Sequence, residues 1–399
     1  MVSGGFESGG PSRWYGVGHS TSPEAAVAGR DATVAAVAGR DAVLVLVFCS
    51  AGYDLPPLIE AVRANTGPDT AIAGCSTLGQ VARPVPSDVG VVVTALGGPG
   101  FEVHTRVARH VSAGRREAGG AVAACVSELR LPHRVLMLLI DGVTGQQHEI
   151  VRGAYSVAGA DIPMVGGCAG DELAYAKTYQ FHGSDRGVEI LSDAVVGVAL
   201  GSEAPLGIGI AHGWRKRGDA MIVTSSSEGH LFQLDNEPAL DVYLRRVGGT
   251  DADLADATAF RAAAFKHPLG LSRRSGEDIR VLHGGDVADR SLICLADVPQ
   301  GALVWLMESD DASLLEGATQ SCTQAVEDLG GVSPLGLLIF DCGARKVKLG
   351  PAGTRAEVST IAKIVGDVPF GGFYTYGEVA RTHGARGMHH LTLVSLALA

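Results

Sequence analysis

Several signatures of catalysis and of large-partner binding are missing from this sequence. No pair among Cys49, Cys75, Cys125, Cys168, Cys294, Cys322 and Cys342 has CxxC spacing, so there is no zinc or dithiol redox motif. No P-loop, HExxH, GxSxG or GxGxxG-plus-acid pattern occurs. Aromatic residues make up only 5 %, which speaks against a core of bulky rings. No long Lys/Arg run occurs, and the short stretch Arg215-Lys216-Arg217 reads as a solvated loop. The net charge of −11, from 43 acidic against 32 basic residues, disfavours nucleic acid and anionic membranes as partners. The longest apolar stretches, such as Ala42–Cys49 and Val135–Ile140, are too short to span a bilayer. An odd cysteine count without a signal peptide points to reduced thiols and a cytoplasmic protein.

What is present is glycine, 55 residues of it, in a chain that is 46 % apolar. A length of 399 residues suits two domains. Three segments share one plan. The first runs Leu44–Phe48, a helical stretch Pro56–Asn65, then Ala71–Gln80, and closes with Asp88–Leu96. The second runs Leu136–Gly142, a helical stretch His148–Ala158, then Pro163–Cys168, and closes with Asp193–Leu200. The third runs Leu337–Cys342, a helical stretch Arg355–Val365, then Pro369–Glu378, and closes with His390–Leu398.

Segments one and three share G-x-x-T-x-G-[QE], as Gly74, Thr77, Gly79, Gln80 and as Gly372, Thr375, Gly377, Glu378. Segment two aligns Gly167-Cys168 with Gly74-Cys75, reads one residue shorter and lacks the threonine. Short, nearly continuous apolar runs suit strands buried on both faces. A strand, a crossover helix and a second strand make a parallel pair. The glycine clusters serve either tight packing and turns or a loop mouth that admits a ligand at the strand ends.

Between segments two and three, Leu206–Trp214 and Ala220–Thr224 read as neighbouring strands of an antiparallel meander, turning at Ser227-Glu228-Gly229. Pro238 opens a helix to about Arg246. Asp278–Leu282, Ser291–Ala296 and Ala302–Met307 read as further antiparallel strands. The expected fold is α/β: two domains with mixed parallel and antiparallel sheets flanked by helices, built from repeated strand–helix–strand units. Residues 1–13 read as a flexible tail, 14–234 as the first domain and 235–399 as the second.

The series Gly74-Cys75-Ser76-Thr77, Gly166-Gly167-Cys168-Ala169-Gly170-Asp171, Asp193–Val196 and His212-Gly213-Trp214 resembles the N-terminal FIST domain. Pro238–Tyr243, Cys342–Arg345 and Gly372–Glu378 resemble the C-terminal FIST domain. The resemblance implies a sensory module for a small ligand, an amino acid or similar metabolite, and not an enzyme. It also implies a separate receiver, a histidine kinase or a cyclic-dinucleotide enzyme. Some stand-alone relatives in the family are haem proteins that sense nitric oxide.

The ligand-binding candidates are Arg345, Glu378, Thr375, Tyr376, Gly74, Cys75, Gly167, Cys168 and Asp171. Arg345, read as a loop residue after a buried strand, suits a carboxylate or phosphate. Glu378 suits an amine, so the two together suit a zwitterion; the competing reading is an Arg345–Glu378 salt bridge. Thr375 and Tyr376 add hydrogen bonds or, for Tyr376, core packing. His212 beside Trp214 is the candidate haem ligand, with His182, His389 and His390 as rivals. Cys75 and Cys168 are either buried structural thiols or the nucleophile of a hydrolase or transferase. Asp171 is either part of an acid pair with Glu172 or a loop cap.

Overall fold

A computed structural model describes residues 12–84, 89–184, 187–227, 229–273, 276–382 and 387–399. Most of the expected tail (residues 1–11), Asp88 and Glu228 lie outside them.

The chain lays down one unit three times. The first consists of β1 (Trp14–Ser20), α1 (Ala25–Val37), β2 (Ala42–Ser50), α2 (Leu55–Ala64), β3 (Ala71–Thr77), β4 (Gln80–Ala82) and β5 (Val91–Gly97). The second consists of β6 (Phe101–Arg109), α3 (Arg115–Ala123), β7 (His133–Ile140), α4 (Gln147–Ala158), β8 (Met164–Cys168), β9 (Gln180–Ser184), β10 (Gly187–Leu191) and β11 (Ala194–Ser202). The third opens with β12 (Leu206–Ala211) and is then interrupted. The insert holds β13 (Arg215–Ser227), β14 (His230–Leu234), β15 (Glu237–Pro238), α5 (Ala239–Val247), α6 (Ala257–Ala264), β16 (Leu269–Arg273), β17 (Gly276–Arg280), β18 (Leu282–Asp286), β19 (Ser291–Cys294) and β20 (Leu303–Glu308). The third unit resumes with α7 (Asp311–Glu327), β21 (Gly336–Cys342), α8 (Gly343–Val365), β22 (Phe370–Thr375), β23 (Glu378–Arg381), β24 (Met388–His389) and β25 (Leu393–Leu398).

Each unit forms a sheet around one parallel pair, β2–β3, β7–β8 or β21–β22. These strands are buried on both faces, which their continuous Val, Leu and Ile runs allow. One face of each sheet meets a common core that includes Leu46, Phe48, Met137, Leu139, Leu338, Phe340 and Phe373. The opposite faces form separate apolar clusters, each with its unit's own helices, as Ala32 and Leu58, Val122 and Ile150, or Ala318 and Val358 show. Local signals set the helix ends. Asp310 caps α7 by accepting the Ser313 N–H at 2.7 Å, and α5 stops at Gly248, which has φ +76°.

The fourth short strand of each unit leaves its own sheet. β4 pairs with β22, β9 with β3 and β23 with β8. The exchange is cyclic, first unit to third, second to first, third to second. Sheets therefore draw strands from both sides of residue 235.

The meander reading of Leu206–Trp214 is corrected. β12 pairs with β25, not with β13. Its glycines explain this: a Cβ on Gly207 or Gly209 would stand 1.9 or 1.8 Å from a carbonyl oxygen of α7, so the strand lies flat on that helix. The insert, Arg215–Glu308, builds its own antiparallel sheet and its own core with α5 and α6. A smaller cluster, with Trp214, Ile279, Met307, Leu314, Cys342 and Leu391, joins the insert to the third unit.

Candidate functional site

The three glycine-rich turns meet. Leu78 N–H donates to the Tyr374 carbonyl at 3.1 Å, Tyr376 N–H to the Cys168 carbonyl at 3.1 Å, and Gly170 N–H to the Ser76 carbonyl at 2.9 Å. The bonds close a ring through all three units. Gly74, Gly166 and Gly372 occupy the same place in it, because a Cβ on each would meet the carbonyl oxygen of Val47, Leu138 or Ile339 within 2.1 Å. The alignment of Cys168 with Cys75 is therefore off by one. Cys75 joins the common core and matches Gly167, while Cys168 faces the helix layer of its own sheet.

Segment two is also not shorter. Cys75 pairs with Gln180, Phe373 with Gln80 and Gly167 with Glu378. Gln80, Gln180 and Glu378 are thus equivalent, and the second unit carries extra chain, residues 171–178, ahead of Gln180. Asp171 organises that loop. It accepts the N–H groups of Tyr175, Ala176 and Lys177 and the Tyr376 hydroxyl at 2.5 Å. Burial pushes its acid up, and these bonds together bring it below the usual carboxylate value. Tyr376 also accepts the Leu173 N–H and stacks on Tyr175 at 4.8 Å.

Arg345 lies in the first turn of α8, not in a loop, and is fully buried. Its Nε meets Asp341 at 2.8 Å and its NH2 meets Glu357 at 2.6 Å. The remaining donors reach the carbonyls of His212 and Leu314. Burial alone lowers its pKa, but Asp341 and Glu357 outweigh that and hold it charged. Its acidic partners are thus these two, not Glu378. Glu378 accepts the Thr375 hydroxyl at 2.6 Å, and the Thr392 hydroxyl and N–H at 2.9 and 3.1 Å. Burial pushes its acid up to about 7 against the pull of these bonds. Burial raises the Cys75 and Cys168 thiols well above the ordinary value, the opposite of what a nucleophile needs.

Thr375, Tyr376, Glu378 and Asp171 are thus bonded within the junction, and Arg345 is bonded beside it. The adjacent opening is a cleft of about 370 Å³ between the insert and the third unit. That size falls within the range of small-molecule sites. Glu277 and Asp278 of β17 form one wall, Ser313, Glu316 and Gln320 of α7 another. His212, His389 and Thr392 complete it from the third unit. Glu277 pairs with Lys216 at 2.6 Å and Asp278 with Arg273 at 2.9 Å, while exposed Glu316 accepts from Gln320 at 3.3 Å. Arg345 and Glu378 stand directly behind the lining, one bonded to His212 and the other to Thr392.

Sequence reasoning reached His212 and His389 but missed the acidic walls. A signal for α7 was present, since Ser313, Glu316 and Gln320 recur at i, i+3 and i+7 and share one helix face. Nothing local announces Thr392, because only long-range pairing brings β25 beside β12.

The cleft does not fit haem. His212 Nδ1 accepts the Trp214 N–H at 2.8 Å, which puts the ring proton of the neutral imidazole on Nε2, the nitrogen left for an iron, and the Trp214 ring is buried, with its indole N–H on the Leu391 carbonyl. Glu277, Asp278 and Glu316 line the space where an apolar macrocycle with acidic propionates would lie. Among the described residues, no group of three or more His, Cys, Asp or Glu is arranged to hold a metal ion.

Sequence comparison finds relatives along most of the chain. The uncharacterised protein Rv0628c of Mycobacterium tuberculosis is 26 % identical over 96 % of this chain and 98 % of its own length. The uncharacterised protein Mb0898c of Mycobacterium bovis is 25 % identical over 60 % of this chain and 61 % of its own. Residues 43–237 match the FIST N domain and residues 239–381 the FIST C domain. Those matches span most of the chain, which belongs to the FIST family of signal-transduction sensor domains.

Proposed function

We propose that this protein is a cytoplasmic sensor whose cleft takes a small metabolite bearing an ammonium group, an amino acid or similar amine. The observation that carries the reading is the lining: three carboxylates, Glu277, Asp278 and Glu316, beside the side chains of Gln320 and Thr392, with the Ser313 hydroxyl held in the cap of α7. An ammonium group is a compact three-donor cation, and carboxylates with hydroxyl and amide oxygens are its natural acceptors. Arg215 at the rim, paired with Asp310, supplies a guanidinium for the acid group of an amino acid.

The two walls belong to different bodies, β17 to the insert and α7 to the third unit. A ligand held between them favours one placement of the insert over others, and that differential affinity is what a sensor needs. The family resemblance supports a separate histidine kinase or cyclic-dinucleotide enzyme as receiver. No helix among the described residues is long and apolar enough to cross a membrane.

The test is thermal unfolding with ethanolammonium, L-serine, L-lysine and acetate, followed by calorimetric titration of those that bind. Binding to the folded state raises the melting temperature. The amines raise it and acetate does not. Failure of every amine to shift the transition overturns the reading.

A further inference from the structure

The junction places Gln80, Gln180 and Glu378 at equivalent positions, each opening a strand that crosses into the next sheet. In the first unit the amide suffices: Gln80 Nε2 donates to the Thr77 hydroxyl at 2.8 Å, as Glu378 accepts from the Thr375 hydroxyl at 2.6 Å. An ionisable acid stands only in the third unit, the unit that carries the cleft. We propose that Glu378 is a specificity-determining residue of the cleft, acting through the Thr392 hydroxyl to set whether the cleft offers its ligand an acceptor or a donor. The inference rests on the ammonium-ligand reading above.

Glu378 Oε2 receives both the N–H and the hydroxyl of Thr392. With Glu378 ionised, the Thr392 hydroxyl hydrogen is committed inward and the oxygen keeps a lone pair for the cleft. With a proton on Oε2, the carboxylic acid donates to Thr392 Oγ1, and the displaced hydroxyl hydrogen turns to the cleft. The other carboxyl oxygen is a poor place for that proton. Its partner, Thr375, accepts the Gly377 N–H at 3.2 Å and is fully buried, so a hydrogen displaced there leaves its acceptor. Thr392, itself 3 % exposed, is among the residues lining the cleft, and a ligand or water there receives the hydrogen. Glu378 is fully buried, and that burial places its titration near 7, inside the physiological range.

Thiols and imidazoles surround Glu378. The Cys342 thiol at the end of β21 bonds it, and the Cys168 thiol of β8 lies within its field. Both thiols are raised well above their ordinary value and stay neutral. His389 of β24 is its cross-strand partner and donates Nε2–H to the Ala380 carbonyl at 2.9 Å. His390 follows it in sequence. Burial lowers the pKa of both, with Asp278 and Arg280 of β17 beyond them. These imidazoles are neutral where Glu378 titrates.

An ammonium ligand needs the acceptor state, so its binding strengthens as Glu378 ionises. For a single group titrating near 7, the ionised fraction rises about tenfold between pH 6 and pH 8, and affinity follows by up to that factor. Ethanolammonium is the probe, because its own charge is constant over this range. Two readouts are paired on the full chain. Infrared difference spectra report the protonated carboxyl directly, and calorimetry reports binding.

Wild-type protein shows a carboxylic acid band at pH 6 that is gone by pH 8, and an affinity that rises up to tenfold. Glu378→Gln, the residue native to the two equivalent positions, lacks the band and binds with flat pH dependence. Thr392→Val keeps a titrating band but loses the pH dependence of binding, and Thr392→Ser restores it. Binding that is flat in wild-type protein, or a pH dependence that survives Glu378→Gln or Thr392→Val, overturns the relay and leaves the ammonium reading intact. Absence of binding at pH 8 by ethanolammonium, L-serine and L-lysine alike overturns both.

Discussion

The first and third units answer the same structural demand differently. In the first, the turn after β3 holds Thr77 and Gln80, and the edge strand β1 runs through a short loop into α1. In the third, the same turn holds Thr375 and Glu378, and 94-odd residues of insert would have to be removed to restore that short loop: about a quarter of the chain lies between β12 and α7. The junction is common to both, and the cleft beside it lies where the insert folds back. The shared glycine motif reports construction, whereas the proposed binding site lies where the repeat is broken.

The largest expected effect lies at the junction. A Cβ on Gly372 would stand 1.8 Å from the Ile339 carbonyl oxygen, a backbone atom that cannot step aside. Gly372→Ala should cost more than about 4 kcal/mol, measured by chemical denaturation. Alanine tolerated there within 1 kcal/mol, a value roughly that of an ordinary point mutation, would show the turns to be looser than a packed junction.

The next effect separates the two units by charge. The Glu378 acid is raised from an ordinary value near 4.5 to about 7 in the folded protein. The folded state therefore holds a proton that the unfolded chain releases, and stability falls as pH rises from about 4.5 through 7. The difference amounts to about 3 kcal/mol. Glu378→Gln should abolish that part of the slope. The wild-type minus variant difference is the quantity to measure, because His390, lowered to about 3 by burial, contributes the opposite slope below its ordinary value. A difference that does not change with pH would place the Glu378 proton outside this range.

In the cleft the expected effects move from stability to affinity. Glu316 is exposed on α7 and bonded to Gln320. Glu316→Gln should change stability by less than about 0.5 kcal/mol. Loss of one charge facing an ammonium ligand should weaken ethanolammonium binding by about tenfold, a typical charge-assisted contribution. A matched loss of stability and affinity would mean that Glu316 supports the helix, not the ligand.

How much of this was legible follows from range. The strand–helix–strand units were readable because each is a local period in the apolar pattern, and the G-x-x-T-x-G-[QE] element fell on equivalent turns in the first and third units. The second unit was misaligned because residues 171–178 separate Gly170 from Gln180, and a gap of that kind hides a register that only cross-sheet pairing restores. Arg345 stood out as a buried-strand neighbour, yet its partners Asp341 and Glu357 lie on either side of a helix start, and their meeting depends on the fold of α8. The cleft was illegible for the same reason: β17, α7 and Thr392 come together only through the insert's return.

The smallest effect is expected at the rim. Arg215 and Asp310 form an exposed ion pair, and such pairs contribute roughly 0–1 kcal/mol. Arg215→Ala should leave the melting temperature nearly unchanged. Its consequence is electrostatic: removing a cation beside the cleft favours a simple amine by about twofold at low salt, an advantage that screening erases as ionic strength rises. For L-serine the sign reverses, because the guanidinium that repels the ammonium group also attracts the carboxylate. Titrating ethanolammonium and L-serine into the same variant therefore reads the orientation of an amino acid in the cleft. Opposite changes place its carboxylate at the rim beside Arg215 and its ammonium group inward toward Glu316 and Thr392. Parallel changes place both groups away from the rim.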